Sequence, residues 1–108
     1  MSNDILERLA ATIRARGTAA ANGSSYTRQL LDAGPASCAK KLGEEAIETV
    51  IAATSESEDK LKEEAADLLY HLLVLLESRS VSLEDVLSVL ERRSGTSGLE
   101  EKSSRTQR

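Results

Sequence analysis

Apolar positions recur at helical spacing along most of this chain. Ile5, Leu6, Leu9, Ala10 and Ile13 share one stripe, which predicts a helix from Asp4 to about Arg16 with Gly17 as its stop. Residues 18–25 are small and polar, a loop. A short helix is expected over Tyr26–Asp32, closed by Gly34. Pro35 follows where a first helical turn tolerates it, because its missing N–H would have had no helical partner. A long helix should run from there to about Thr54. Ser55 and Glu58 have capping-box spacing, with Ser57 as an alternative cap, so residues 55–59 read as a turn. The fourth helix should end near Ser78. Ser82 with Asp85 repeats the capping pattern and opens a fifth helix, Leu83 to about Arg92.

The expected fold is therefore all-α, a bundle of about five helices in which two long ones form an antiparallel pair. Residues 1–93 form the domain, and residues 94–108 a flexible polar tail. From Leu68 to Leu76 the fourth helix is apolar around nearly its whole circumference. Such a helix is buried, and one short chain has few elements with which to surround it. A homodimer completing the bundle across a two-fold axis is the economical answer. The alternative is a monomer in which the first and fifth helices cover it.

Composition sharpens this picture. The 108 residues are 40% apolar, yet they include no Phe, no Trp and only two Tyr. The core must rest on Leu, Ala, Val and Ile, and the leading pair, Leu and Ala, favours helix over sheet. A net charge of −4 argues against a nucleic-acid binder. Cys38 stands alone, so no internal disulfide is possible, and the start carries no charged-then-apolar leader. No apolar run approaches membrane length. A cytoplasmic protein is expected.

The candidate chemistry lies in the two long helices. At 100° per residue, Lys41, Glu44, Glu45 and Glu48 form one stripe of the third helix. Glu63, Glu64, Asp67 and His71 cluster likewise on the fourth. In an antiparallel pair with a short turn, Glu48 faces Glu64, Glu45 faces Asp67 and Lys41 faces His71, each pair symmetric about Glu56. Two carboxylates from each helix then meet at two successive levels. Their mutual repulsion is relieved by a hard divalent cation such as Mg²⁺, which takes oxygen ligands and keeps positions open for phosphate oxygens. Two solvated helix faces are the plainer reading of the same residues.

Several segments carry a more specific signal. Tyr26-Thr27, Leu30 and Gly34, then Lys40-Lys41-x-Gly43-Glu44-Glu45-Ala46-x-Glu48, then Glu63-Glu64-x-x-Asp67-Leu68-Leu69-Tyr70-His71, resemble the phosphoribosyl-ATP pyrophosphatase family. The tail segment Ser97-Gly98-Leu99-Glu100-Glu101-Lys102, with Arg105, is similar to the same family. The Glu45-x-x-Glu48 and Glu64-x-x-Asp67 pairs are shared more widely with the MazG-like nucleoside triphosphate pyrophosphohydrolases.

The resemblance implies hydrolysis of phosphoribosyl-ATP to phosphoribosyl-AMP and pyrophosphate, the second step of histidine biosynthesis, with Mg²⁺ as cofactor. Glu45, Glu48, Glu64 and Asp67 are the expected metal ligands. Glu44, on the same stripe but in neither matched pair, is the candidate for activating water. Lys40 and Lys41 suit substrate phosphate, or else neutralise the acids beside them. Tyr26 and Thr27 line the nucleotide site, or else cap and pack a helix. Gly98, Lys102 and Arg105 offer N–H groups and positive charge to the phosphoribosyl end. His71, one turn beyond Asp67, reads as structural, or else as an acid/base group or a partner of a metal ligand, and Cys38 reads as a packing residue. Two rivals stand beside this reading: a house-cleaning nucleoside triphosphate pyrophosphohydrolase, and a non-catalytic dimeric adaptor with an acidic face.

Overall fold

A computed structural model describes residues 4–18 and 25–94 of the chain. The described residues form five helices and no strand: α1 (Asp4–Thr18), α2 (Tyr26–Ala33), α3 (Pro35–Ser55), α4 (Glu58–Ser78) and α5 (Leu83–Arg93). The all-α expectation holds. The tail beyond Ser94, with Gly98, Lys102 and Arg105, lies outside the described residues.

α3 and α4 form an antiparallel hairpin joined by Glu56 and Ser57. Ser57, rather than Ser55, caps α4, its hydroxyl accepting from the Lys60 N–H at 3.1 Å. Ser55 still belongs to α3 and donates its hydroxyl back to the Ile51 carbonyl at 2.9 Å. The cap of α5 is the expected one, with Ser82 Oγ accepting from the Asp85 N–H.

Gly34 closes α2 and opens α3 in one residue. Its φ of +96° suits glycine alone, its N–H donates to the Leu31 carbonyl, and its carbonyl accepts the Cys38 N–H at 3.0 Å. Gly17, expected as a stop, lies inside the last turn of α1 instead. A Cβ there would stand 2.8 Å from Leu31 Cδ1, so the missing side chain serves the approach of α2.

Ile13, Cys38, Leu73 and Val74 make up the buried core, with Leu6, Leu9, Ala10, Leu30, Leu31, Tyr70 and Leu76 packed around it. It sits where α1 and α2 meet the start of α3 and the end of α4. The hairpin's other half, toward the turn, leaves this core behind. Cys38, Glu45 and Ala52 are the buried residues of α3, seven residues apart and so on one side. The stripe Ile47, Val50 and Ile51, on the side of α3 away from its acids, is 46–64% exposed. On α4, Leu69 and Leu72 remain 44% and 36% exposed. α5 reaches the core through Leu83, and none of its residues is buried. No described helix is long and apolar enough to cross a membrane.

Candidate functional site

Burying small residues on the inner side of α3 brings the hairpin's acids together. Glu45, Glu48 and Glu64 each offer a carboxylate oxygen within 4.8 Å of the others. Glu45 and Glu64 are buried, only 6% and 7% exposed, while Glu48 is exposed. Each buried carboxylate has a lysine one turn before it on its own helix. Lys41 Nζ lies 3.6 Å from Glu45 Oε2, and Lys60 Nζ lies 3.1 Å from Glu64 Oε2. The other Glu64 oxygen, Oε1, is fully enclosed and has no hydrogen-bond partner. An orphaned anionic oxygen is costly to bury, and here it belongs to a residue of the trio.

The charges act on one another as this geometry requires. Glu48's carboxyl is raised above its ordinary value, first by the Glu45 charge, then by burial and by the Glu64 charge. Lys60 is raised by its bond to Glu64 and by that residue's charge. Lys41 is raised by the Tyr26 phenol oxygen first, then by Glu45 and Glu44, against the opposing effect of burial.

Beside the carboxylates lies an aromatic group contributed by α2 and α4. The Tyr26 and Tyr70 rings stack at 6.4 Å, and His71 meets both edge-on, at 6.2 and 4.9 Å. Thr27 is buried, its Oγ1 2.5 Å from the Tyr70 hydroxyl. That hydrogen bond fastens the start of α2 to α4. Tyr26 is 51% exposed. His71 is buried, and burial first of all pulls its pKa below the ordinary histidine value, against the raising charges of Glu45 and Asp67.

The structure thus gathers Glu45, Glu48 and Glu64 and leaves Asp67 outside that trio. Asp67 is exposed, one turn along α4 toward His71. The hairpin connection is centred between Glu56 and Ser57, half a residue beyond the expected centre. Glu44 is exposed and 3.7 Å from Lys41 Nζ, and Lys40 is exposed on the same helix. Thr49 escaped the sequence reading of the site, and Lys60, on the acidic stretch of the fourth helix, was given no role in it. Lys60 has a legible signal, since its spacing to Glu64 repeats that of Lys41 to Glu45. Thr49 has none, because its hydroxyl lies 2.8 Å from the Glu45 carbonyl and 3.2 Å from that of Glu64 across the hairpin.

A relative from Rhodopseudomonas palustris named phosphoribosyl-ATP pyrophosphatase 1 is 54% identical over 97% of each chain. One of the same name from Bradyrhizobium diazoefficiens is 58% identical over 90% of this chain and 91% of its own. A phosphoribosyl-ATP pyrophosphatase from Cereibacter sphaeroides is 52% identical over 94% of this chain and 97% of its own. These matches include the whole hairpin that carries the carboxylate trio. Residues 6–94 match the family model described as phosphoribosyl-ATP pyrophosphohydrolase, and the chain belongs to that family.

Proposed function

We propose that this protein hydrolyses phosphoribosyl-ATP to phosphoribosyl-AMP and pyrophosphate, the second step of histidine biosynthesis. The observation that carries the reading at the site is the enclosed Glu64 Oε1, unpartnered beside Glu45 and Glu48. A hard divalent cation fits this all-oxygen donor set, and Mg²⁺ is the ion of choice for a phosphate substrate. Glu45, Glu48 and Glu64 would hold it, with Asp67 joining from the next turn of α4. When bound, the ion supplies charge neutralisation at the phosphates.

The chain's own groups do the rest. Glu44 is exposed on the carboxylate stripe, where it can hold a water and accept its proton as the water attacks phosphorus. Lys40 and Lys41 bring positive charge to the triphosphate. The exposed Tyr26 offers a ring to the nucleotide, and Thr27 holds the segment bearing it against Tyr70. Gly98, Lys102 and Arg105 engage the phosphoribosyl end. Family membership supports the substrate assignment over free nucleoside triphosphates.

The protein works as a homodimer in this reading. Ile47, Val50 and Ile51 on α3 and Leu69 and Leu72 on α4 are apolar side chains that the single chain leaves open, and α5 keeps Leu90 58% exposed. Only five apolar residues are buried among those described. A second copy would complete the bundle.

The test is pyrophosphate release with phosphoribosyl-ATP, dUTP and dCTP, each with and without Mg²⁺. Turnover should require the metal and strongly favour phosphoribosyl-ATP, and Glu48→Ala should abolish it. Comparable turnover of dUTP would favour the house-cleaning rival, and no turnover with any substrate would favour the adaptor. Truncation after Arg93 should weaken use of phosphoribosyl-ATP by roughly ten- to a hundredfold in kcat/KM while leaving helicity unchanged.

A further inference from the structure

The hydroxyl of Thr49 occupies an unusual place. Threonine in a helix commonly donates back to the carbonyl four residues earlier, and Thr49 does so to Glu45 at 2.8 Å. That bond alone would mean little. The same oxygen also lies 3.2 Å from the Glu64 carbonyl, on the opposite helix. One hydroxyl proton is thus shared between the main-chain carbonyls of the two buried carboxylate residues. The contact falls at the level where the trio converges.

We infer that Thr49 is a positioning residue that fixes the separation and register of Glu45 and Glu64 for a divalent cation, an inference that rests on the metal-binding reading of the trio. The physical reasoning runs through the backbone. A helix that slips by one residue moves 1.5 Å along its axis and turns its side chains by 100°. Either displacement would scatter three oxygens now within 4.8 Å of one another. Without a cation, charge repulsion between Glu45 and Glu64 pushes the helices apart at this level. Thr49 opposes that by joining main chain to main chain, and it leaves every carboxylate oxygen available to the ion. Its β-branched side chain has few rotamers, so the hydroxyl is held in place without a large loss of freedom.

The test compares Thr49→Val, which keeps the branched shape and deletes the hydroxyl, with Thr49→Ser, which keeps the hydroxyl. Full-length wild type and both variants are titrated with Mn²⁺ alone and with Mg²⁺ alone by calorimetry, and their metal-free melting is followed by circular dichroism. Thr49→Val should melt modestly below wild type in metal-free buffer, because the repulsion is then unopposed, and should also bind either ion roughly tenfold more weakly, at the low end of what outer partners of metal ligands contribute. Thr49→Ser should recover affinity to within about threefold of wild type. A merely structural role would lower melting and leave metal affinity alone. Equal affinity in Thr49→Val and wild type would overturn the inference, as would equal weakening in the Val and Ser variants. If Thr49→Val lost its helical signal, Thr49→Ala against Thr49→Ser would pose the same question, and equal affinity of those two would overturn it. Absence of saturable binding by wild type would remove the metal-binding reading itself, and this inference with it.

Discussion

Glu48 is the exposed member of the carboxylate trio, and its titration gives a direct measure of the repulsion there. Its carboxyl is raised from the ordinary 4.5, chiefly by the Glu45 charge. The folded chain therefore holds this proton more tightly than the unfolded chain does. Stability from this group is full below pH 4.5 and is lost as pH rises through the raised value. Glu48→Gln should melt above wild type at pH 8 in metal-free buffer, and the gap should close as pH falls toward 4.5. Added Mg²⁺ should reverse the order, because wild type gains more from the ion. His71 works in the opposite direction. Burial lowers its pKa from 6.5, so its contribution is full above pH 6.5 and is lost as pH falls through the lowered value. Both proteins carry His71, so the difference between their melting curves isolates Glu48. A gap independent of pH would show that repulsion is not its source.

A second prediction at this scale concerns Ser80, a non-glycine residue at φ +57°. The left-handed conformation costs about 1–2 kcal/mol for a residue with a Cβ, and glycine loses roughly 0.5–1 kcal/mol more backbone freedom on folding. Ser80→Gly should therefore stabilise the chain by about 0.5–1 kcal/mol in urea unfolding, by the same arithmetic. An unchanged midpoint would mean that the strain is already relieved locally.

At the scale of elements, the helices were legible because each carries its own punctuation. Pro35 opens α3, Ser82 opens α5, and the stripe of Leu6, Leu9, Ala10 and Ile13 marks α1. The choice between Ser55 and Ser57 was not legible, since both can cap a helix. Backbone geometry decides it, with Ser57 extended at φ −75° and ψ 162° and Ser55 still helical. Ser57→Ala should cost about 1 kcal/mol of stability, whereas Ser55→Ala should stay within about 0.5 kcal/mol. Chemical unfolding of the two variants checks it; equal losses would put the cap elsewhere. α4 ends at Ser78 without any glycine to mark it. Its closure is made by tertiary-independent bonds all the same: Val81 N–H to the Leu76 carbonyl at 2.9 Å and Ser80 N–H to that of Glu77 at 3.0 Å.

At the scale of the molecule, the exposed apolar side chains of the hairpin are the feature to test. A charge at Ile47, 64% exposed in the single chain, costs that chain little. In a dimer the same charge would be buried. Ile47→Lys should thus keep its helicity but sediment as a monomer at micromolar concentration, where wild type should sediment as a dimer. A monomeric wild type would remove the second copy from the proposed function.

Periodicity and end signals lie in neighbouring residues, and so the five helices, the antiparallel hairpin and the acidic stripes are legible in the order of residues alone. It also carried the family resemblance, in the Lys40–Glu48 and Glu63–His71 segments that the structure sets facing one another. Which side of α3 turns inward was another matter. A helix with acids on one side and Ile47, Val50 and Ile51 on the other can bury either, and hydrophobicity alone favours the second. The structure buries Cys38, Glu45 and Ala52 instead. The matched levels of the two acidic stripes point to this orientation, and the packing completes it: small residues on the inner side let α4 approach, and Glu45 then lies beside Glu64. The same meeting separated Asp67 from the trio and joined Thr49 to Glu64, because contacts between residues fifteen apart depend on how far each helix is rotated about its axis, which turn length and stripe spacing leave open.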